Sequence, residues 1–285
     1  VVRYGCGRNG VGAKVTNLFS TRFKVTVEDP ENGLRFTGVW RDNFFVEDED
    51  ARPEIKVKEL SKSIKKGSVK VEWDLDFKRF GMTGYSKDEI NYFARTAADF
   101  SFATKVPFVF NGVKLDYRSI RDYATLYFSK DELENSIVQY TWGYKKPGKG
   151  QKLSDIGSRN EVGSKSIEKS ITKPKKQDDI PDLEIMIIDT PDNGRIISYV
   201  NGLVSKNGDA VLNPIFKHFT NAVNGDKKKG GITSTNVKPH ISAIVNARIP
   251  DPRYDSQSKT KLEHPKVHLE IIPKLLKQTN NWDTL

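Results

Sequence analysis

The chain has 285 residues, of which 36% are hydrophobic and 29% are charged, and its formal net charge is +10. This length suits about two domains of roughly 150 residues each, and fifteen Phe, ten Tyr and four Trp exclude a wholly disordered chain because they can fill a core. The single cysteine, Cys6, excludes an intramolecular disulfide framework and a cysteine-rich zinc module. No apolar stretch is long enough to cross a membrane.

The first elements along the chain are a Gly-rich run, a helix and several strands. Residues 5–14 contain the glycines, and residues 15–19 predict the first turns of a helix. Strict alternation of apolar and polar residues then predicts strands at residues 23–27, 34–40 and 69–73.

A helix and a hairpin follow in the first half. Ser86 stands three residues before Glu89, which predicts a capping box. The helix that begins there has an apolar stripe formed by Ile90, Phe93, Ala94 and Ala97. The Asn111-Gly112 pair predicts a hairpin turn, and residues 120–127 predict a short helix.

Residues 145–178 differ from the rest of the chain. They contain ten Lys or Arg against four Asp or Glu, and no aromatic residue. Such a segment cannot bury enough apolar surface to offset its ordering entropy, so we expect a basic, mobile loop or insertion. The basic excess favours a polyanion such as nucleic acid as a partner, although basic surface is also common in proteins that bind none.

The second half predicts a compact α+β domain. Residues 183–188 and 195–202 predict strands, and residues 240–247 predict a central strand because apolar side chains occupy both of its faces. Apolar spacing predicts helices at residues 212–219 and 269–276. This order favours helices packed on one face of a sheet.

The Gly-rich run allows three interpretations. Glycines before a helix let backbone N–H groups converge on an anion, but they also occur in a sharp turn without a ligand. Residues 5–10 match the dinucleotide-binding pattern, with Glu28 and Asp29 placed for a ribose. The P-loop pattern is excluded, because Ala13 separates Gly12 from Lys14.

The third interpretation is a resemblance to a known family. Residues 7–14, Gly-Arg-Asn-Gly-Val-Gly-Ala-Lys, and residues 17–20, Asn-Leu-Phe-Ser, resemble the phosphate-binding signature of type IIA DNA topoisomerases. Residues 245–249 and 255–259 are similar to the family's Asn-Ala-Leu segment and its Gln-Thr-Lys loop. Residues 199–202, Tyr-Val-Asn-Gly, and residues 229–231, Lys-Gly-Gly, fall between these two stretches in the family's order.

The resemblance implies a fold, a nucleotide and its contacts. Residues 1–130 would be the C-terminal part of a Bergerat-type ATPase domain, and residues 131–285 would be a transducer domain. The cofactors would be ATP and Mg²⁺. The expected contacts to ATP are Gly7, Arg8, Asn9, Gly10, Val11, Gly12, Ala13, Lys14, Gln257, Ser258 and Lys259, with Lys259 reaching the γ-phosphate.

The sequence departs from the family's pattern in several places. Cys6 stands for a glycine, Ser258 for a threonine, and Arg248 for an apolar residue that nothing in the sequence explains. The family's catalytic glutamate and its magnesium-binding asparagine precede the Gly-rich loop, so we expect this stretch to be part of a longer chain. On its own it should bind ATP weakly and hydrolyse none, and it should hold no metal ligand and no DNA-cleaving tyrosine.

The same resemblance implies partners. Lys227, Lys228 and Lys229 occupy a place where the family is basic and contacts double-stranded DNA, which they would bind through phosphates. The whole enzyme would be a homodimer whose N-gate closes on ATP, located in the nucleus or, for a viral enzyme, in the host cytoplasm. No membrane partner is expected.

Three other functions make different predictions. A mismatch-repair or chaperone ATPase with a Bergerat fold lacks a transducer that ends in Asp-Ser-Gln-Ser-Lys, as residues 255–259 do. A non-enzymatic basic DNA-binding protein would bind DNA regardless of ATP. A dinucleotide-dependent oxidoreductase would bind NAD.

Overall fold

The computed structural model describes residues 7, 9–44, 52–141, 158–162, 182–205, 216–217, 220–221, 224, 231–256, 259 and 262–264. Gly7–Ile90 form one compact unit, and the described residues from Asn91 onward form another. The helix that spans this division buries its C-terminal half in the core of the second unit. The domain boundary near residue 130 stays a prediction.

The first unit consists of one helix and an antiparallel sheet. The helix α1 spans Val11–Leu18 and leads directly into β1. The strands are β1 (Ser20–Asp29), β2 (Leu34–Arg41), β3 (Glu54–Glu59) and β4 (Ser68–Leu75), in the order β3-β2-β1-β4. Short 3₁₀ turns occupy Asp42–Phe44 and Phe77–Phe80. The predicted strands at residues 23–27, 34–40 and 69–73 are therefore confirmed, and β3 is an additional strand.

The two faces of this sheet differ sharply in polarity. The register places Phe23 opposite Trp40 and Trp73 on one face. The same apolar face also contains Val25, Val27, Phe36, Ile55, Val57, Val69 and Val71. The opposite face is charged, and there Lys24 pairs with Glu72 across 3.7 Å. Much of the apolar face is open to solvent, since Val69 is 70% exposed and Trp73 is 49% exposed.

The second unit is built around a six-stranded sheet. The helices whose bounds lie in its described residues are α2 (Lys87–Thr104, whose first residues belong to the first unit), α3 (Ile120–Ala124), α4 (Lys130–Glu134) and α5 (Ser234–Val237). Residues 216–217, 220–221 and 224 are also helical. Its strands are β5 (Phe108–Phe110), β6 (Val113–Leu115), β7 (Ser136–Thr141), β8 (Ser158–Val162), β9 (Leu183–Asp189), β10 (Ile196–Val200), β11 (Leu203–Val204), β12 (Ile241–Ala247), β13 (Arg253–Tyr254) and β14 (Leu262–His264). The large sheet has the order β11-β10-β12-β9-β7-β8, and only its β10–β12 pair is parallel among the described strands.

The core of the second unit lies between α2, α3, α4 and this sheet. Phe102 and Tyr123 stack with their ring centroids 4.3 Å apart, over Met186 and Ile244 of the sheet. Every residue of β12 is buried, which confirms the predicted central strand. Along β9 and β12, side chains that point to opposite faces of the sheet are buried alike. Both faces of the sheet are therefore covered at these strands, whereas the sequence predicted helices on one face.

The structure tests the predictions made for the start of α2 and for the loop at residues 145–178. Ser86 and Glu89 form the predicted box, with the Ser86 N–H donating to the Glu89 carboxylate at 2.7 Å. The predicted apolar stripe is exposed at its start, because Ile90 is 41% and Phe93 is 40% exposed. Residues 158–162, inside the predicted loop, form β8 at the edge of the sheet.

Some predictions fall mainly outside the described residues. The helix expected at residues 269–276 lies wholly outside them, as does most of the loop at residues 145–178. Of the helix expected at residues 212–219, Phe216 is described, and it is helical and 1% exposed. In the described part of the chain, no helix is both long enough and apolar enough to span a membrane.

Candidate functional site

The Gly-rich loop ends at a glycine that begins α1. Gly10 is the N-cap residue, with φ 61° and ψ 22°, in the left-handed region that favours glycine. Gly10 itself has no side chain with which to cap the helix. Gly7, Asn9 and Gly10 are exposed, while Arg8 lies outside the described residues.

The space beside these glycines is open. A Cβ atom added at Gly7, Gly10 or Gly12 would meet nothing within 4 Å. The first backbone N–H groups of a helix have no partner inside it, and the helix dipole adds positive potential at that end. The loop therefore offers an accessible cradle that suits an anion such as a phosphate.

Lys14 stands next to this cradle. It follows Val11, Gly12 and Ala13 in the first turns of α1, and its side chain is exposed. An exposed lysine at this place in the helix suits a role in attracting an anion. The structure thus brings Gly7 and the residues from Asn9 to Lys14 together at one end of α1.

The other end of α1 is anchored to the sheet. Arg79 donates to the carbonyl of Leu18 at 3.3 Å, and the N–H of Asp76 donates to the carbonyl of Phe19 at 2.9 Å. The Phe19 and Phe80 rings pack with centroids 5.3 Å apart. The residues Asn-Leu-Phe-Ser at 17–20 therefore attach the C-terminal end of the helix to the residues that follow β4.

Asn17 is a polar residue that is buried in the last turn of α1. It is 8% exposed, and no described residue forms a hydrogen bond with its Oδ1 atom. It lies near the end of α1 away from Gly10, so it is not one of the groups that line the cradle.

The second stretch singled out in the sequence begins inside the sheet. Asn246 of β12 is 2% exposed, and its amide donates to the carboxylate of Glu184 at 2.9 Å. This carboxylate also forms an ion pair with Lys105 just beyond the end of α2. Asn246 is thus a core residue that satisfies a buried carboxylate and does not face solvent.

Lys259 lies in the segment between β13 and β14. Its N–H donates to the Ser256 carbonyl at 3.1 Å, and its φ of 56° places it in a tight turn. Its side chain is half-buried. Gln257 and Ser258, together with Lys227, Lys228 and Lys229, lie outside the described residues.

Asn201 contacts the backbone of Ile249, a role that sequence patterns alone do not predict. The structure shows that its side chain holds the backbone of Ile249, which follows β12. The signal that could have found it is the Tyr-Val-Asn-Gly stretch itself, since Asn-Gly is the preferred pair for a two-residue hairpin turn.

Comparisons with known proteins point to one family. A family model described as DNA gyrase B matches residues 153–280. The DNA topoisomerase 2 of Invertebrate iridescent virus 6 is 25% identical over 295 residues, which cover 100% of this chain and 22% of that protein. The DNA topoisomerase 2 of Arabidopsis thaliana is 26% identical over 265 residues, which cover 90% of this chain and 15% of that protein.

The fold agrees with these matches. The crystal structure of the ATPase and transducer domains of DNA topoisomerase II from Balamuthia mandrillaris aligns with a TM-score of 0.65 and 22% identity, covering 99% of this chain and 64% of that one. The chain is thus similar to type II DNA topoisomerases in sequence, and its fold resembles that of their ATPase and transducer domains.

This relationship confirms the resemblance and the predicted α+β fold class. The chain spans about a fifth or less of the length of the two topoisomerase relatives.

Proposed function

We propose that this chain is the ATP-binding and ATP-sensing portion of a type II DNA topoisomerase, which passes one DNA duplex through a transient break in another. The observation that carries the proposal is the glycine-lined start of α1, where the left-handed Gly10 opens a cradle next to Lys14. The relatives named DNA topoisomerase 2 supply the reaction class.

The cradle suits the phosphates of ATP. Backbone N–H groups at Gly10, Val11 and Gly12 would donate to phosphate oxygens, and the missing side chains let those oxygens approach the backbone closely. Arg8 and Lys14 would balance the phosphate charge, and Gly7, Asn9 and Ala13 would complete the loop. Bound ATP supplies a γ-phosphate that is lost on hydrolysis.

Lys259 would make the chain sensitive to that γ-phosphate. The Gly-rich loop and Lys259 belong to different compact units, and we propose that Lys259, with Gln257 and Ser258 beside it, reaches the phosphate tail. A cation on one unit is attracted to the other only while the γ-phosphate is present. Hydrolysis would then change the relative stability of two arrangements of the units.

Other parts of the proposal concern partners. Lys227, Lys228 and Lys229 would contact DNA phosphates, and the complete protein would act as a homodimer inside the cell, with ATP closing its N-gate. Mg²⁺ would accompany ATP. The described residues contain no group of three or more His, Cys, Asp or Glu side chains placed for a metal ion, and we assign no residue of this chain to it.

The nucleotide role is tested with Lys14→Ala and Lys259→Ala in the full protein. Lys14→Ala should weaken binding of ADP and of a nonhydrolysable ATP analogue, whereas Lys259→Ala should weaken binding of the analogue alone. Lys87→Ala is the matched control, because Lys87 is also an exposed lysine in the first turn of a helix. Unchanged binding of both nucleotides by Lys14→Ala would reject the assignment of the cradle.

The DNA role is tested by replacing Lys227, Lys228 and Lys229 together with Ala. The salt dependence of DNA-stimulated ATP hydrolysis should become shallower, because the slope follows the number of phosphates neutralised. Replacement of Lys62, Lys65 and Lys66 with Ala is the control, since it removes the same charge from an exposed loop. Equal slopes for the two triple variants would reject the contact.

A further inference from the structure

Asn201 lies at the end of β10 and contacts the chain that leaves β12. Asn201 and Gly202 form the two-residue turn between β10 and β11, with φ of 50° and 83°. Both angles are positive, as a type I′ hairpin turn requires. The Asn201 N–H donates to the carbonyl of Ala247 at 2.8 Å, so the turn is tied to the last residue of β12.

The side chain of Asn201 adds two further bonds. Its Nδ2 donates to the carbonyl of Ile249 at 2.7 Å, and its Oδ1 accepts from the N–H of Ile249 at 2.6 Å. The amide thus pairs with a backbone unit as a neighbouring strand would. Ile249 is 2% exposed, and both bonds are partly buried.

The segment that follows is attached to the same end of the sheet. The N–H of Arg248 donates to the carbonyl of Asp182 at 2.7 Å. Farther along, the hydroxyl of Tyr254 donates to the carbonyl of Val200 at 3.4 Å. Lys259 comes shortly after Tyr254, so Asn201, Asp182 and Val200 all hold the chain between β12 and the lysine to this end of the sheet.

We propose that Asn201 is a positioning residue for Lys259, an inference that rests on the proposed function. The two bonds from its side chain fix the point at which the lysine-bearing segment leaves the sheet. Holding a group in place before it meets its ligand avoids an entropic cost on binding. Without the Asn201 side chain, the Lys259 ammonium group is still present, but it lies near the γ-phosphate for a smaller fraction of the time.

Asn201→Gly removes the side-chain hydrogen bonds of Asn201 without altering the backbone conformation of the turn. Glycine keeps the positive φ and the backbone bond to Ala247, and it removes both bonds to Ile249. Asn111→Gly is a matched control, because Asn111 and Gly112 form the same kind of turn, with φ of 47° and 82°. The Asn111 side chain is exposed and forms no hydrogen bond with a described residue.

The measurement is nucleotide affinity in the full protein, expressed as the ratio of affinity for a nonhydrolysable ATP analogue to affinity for ADP. Asn201→Gly should lower this ratio about tenfold, as expected for the loss of two modest hydrogen bonds, with ADP affinity unchanged. In a Lys259→Ala background the same substitution should have no further effect. Asn111→Gly should leave the ratio unchanged.

The other outcomes are distinguishable. If Asn201→Gly lowered the affinity for both nucleotides equally, or lowered the ratio even in the Lys259→Ala background, the role of Asn201 would be purely structural. That result would overturn the inference while the proposed function stands. An unchanged ratio in Lys259→Ala itself would overturn the proposed sensing role, and the inference with it. Asn201→Asp, which keeps the acceptor but sets a second carboxylate oxygen against the Ile249 carbonyl, should also lower the ratio and decides the matter if Asn201→Gly does not fold.

Discussion

Lys105 and Glu184 form an ion pair inside the second unit, where each side chain is 2% exposed. Lys105 follows the last residue of α2 with a φ of 60°, and this left-handed turn directs its side chain inward. Its ammonium group also lies 4.2 Å from the centre of the Phe102 ring. Burial lowers the pKa of Lys105, and the negative charge of Glu184 opposes that shift. The pair therefore connects the end of α2 to β9.

Lys105→Met should destabilise the protein strongly. It leaves the carboxylate of Glu184 buried without its cation, and breaking a buried pair in this way costs about 3–5 kcal/mol. Adding Glu184→Gln should restore most of the loss, because the neutral amide still accepts from Asn246. Urea unfolding of the three proteins measures the changes in the free energy of unfolding.

The control for this experiment is Lys114→Met. Lys114 pairs with Asp116 across 3.0 Å, but its side chain is 61% exposed. An exposed pair contributes about 1 kcal/mol or less. A loss in Lys105→Met as small as that in Lys114→Met would show that the buried charge is not a structural requirement.

Tyr123→Phe should also destabilise the second unit. The Tyr123 hydroxyl donates to Asp99 at 2.6 Å and contacts the hydroxyl of Tyr199 at 2.6 Å. Burial raises the pKa of Tyr123, so the hydroxyl stays protonated and able to donate. Leaving the buried Asp99 without this donor should cost about 1–3 kcal/mol in thermal or urea unfolding.

Tyr117→Phe is the comparison for that variant. Tyr117 packs edge-on against Tyr123 with centroids 6.4 Å apart, and its hydroxyl forms no hydrogen bond with a described residue. Its loss should change stability by about 0.5 kcal/mol or less. Similar losses for the two variants would mean that the ring packing, and not the hydroxyl, matters.

Local patterns were sufficient to predict most elements of the fold. Alternation located β1, β2 and β4, and the Ser86–Glu89 box located the start of α2. The apolar residues on both parities of β12 identified a central strand. In each case the deciding interactions lie within a few residues along the chain or follow from burial of whole faces.

Features that depend on distant residues could not be predicted in this way. β3 is different, because its Ile and Val alternate with charged residues, so the pattern that located β1 also predicts this strand. Asn246 and Lys105 are far apart in the sequence, and only the fold brings both to Glu184. The Gly-rich loop was recognisable because its chemistry is local, whereas the role of Asn201 depends on Ile249 across a turn of the fold.

Lowering the pH should weaken the first unit through Glu28. A hydrogen bond from Arg35 and another from Ser68 lower the pKa of Glu28 below its ordinary value of 4.5. A lowered pKa means that the stabilisation is present above pH 4.5 and is lost as the pH falls through the folded-state pKa. The difference in urea midpoint between the unmodified protein and Glu28→Gln should therefore shrink on acidification.

Glu31→Gln provides the control for this pH dependence. Glu31 is exposed in the turn between β1 and β2, and its side chain forms no bond or ion pair with a described residue. Its midpoint should follow that of the unmodified protein at every pH. A Glu28→Gln difference that stays constant from neutral pH to well below 4.5 would contradict the assignment.

Gly12→Ala should raise stability and lower nucleotide affinity at the same time. Gly12 lies within the first turn of α1 with open space beside it, so alanine should favour the helix by up to about 1 kcal/mol. The added methyl group would occupy the space through which phosphate oxygens reach the backbone. We expect a higher melting temperature together with an affinity for an ATP analogue about tenfold lower, a change of roughly 1.4 kcal/mol.

Two other glycines make this prediction specific. Gly10→Ala should lower both quantities, because an alanine at a φ of 61° is strained by about 1–2 kcal/mol. Gly84→Ala should leave nucleotide affinity unchanged, since Gly84 also faces open space but lies outside the loop. If Gly12→Ala stabilised the protein and bound the analogue as well as the unmodified chain does, the start of α1 would be a sharp turn without a ligand.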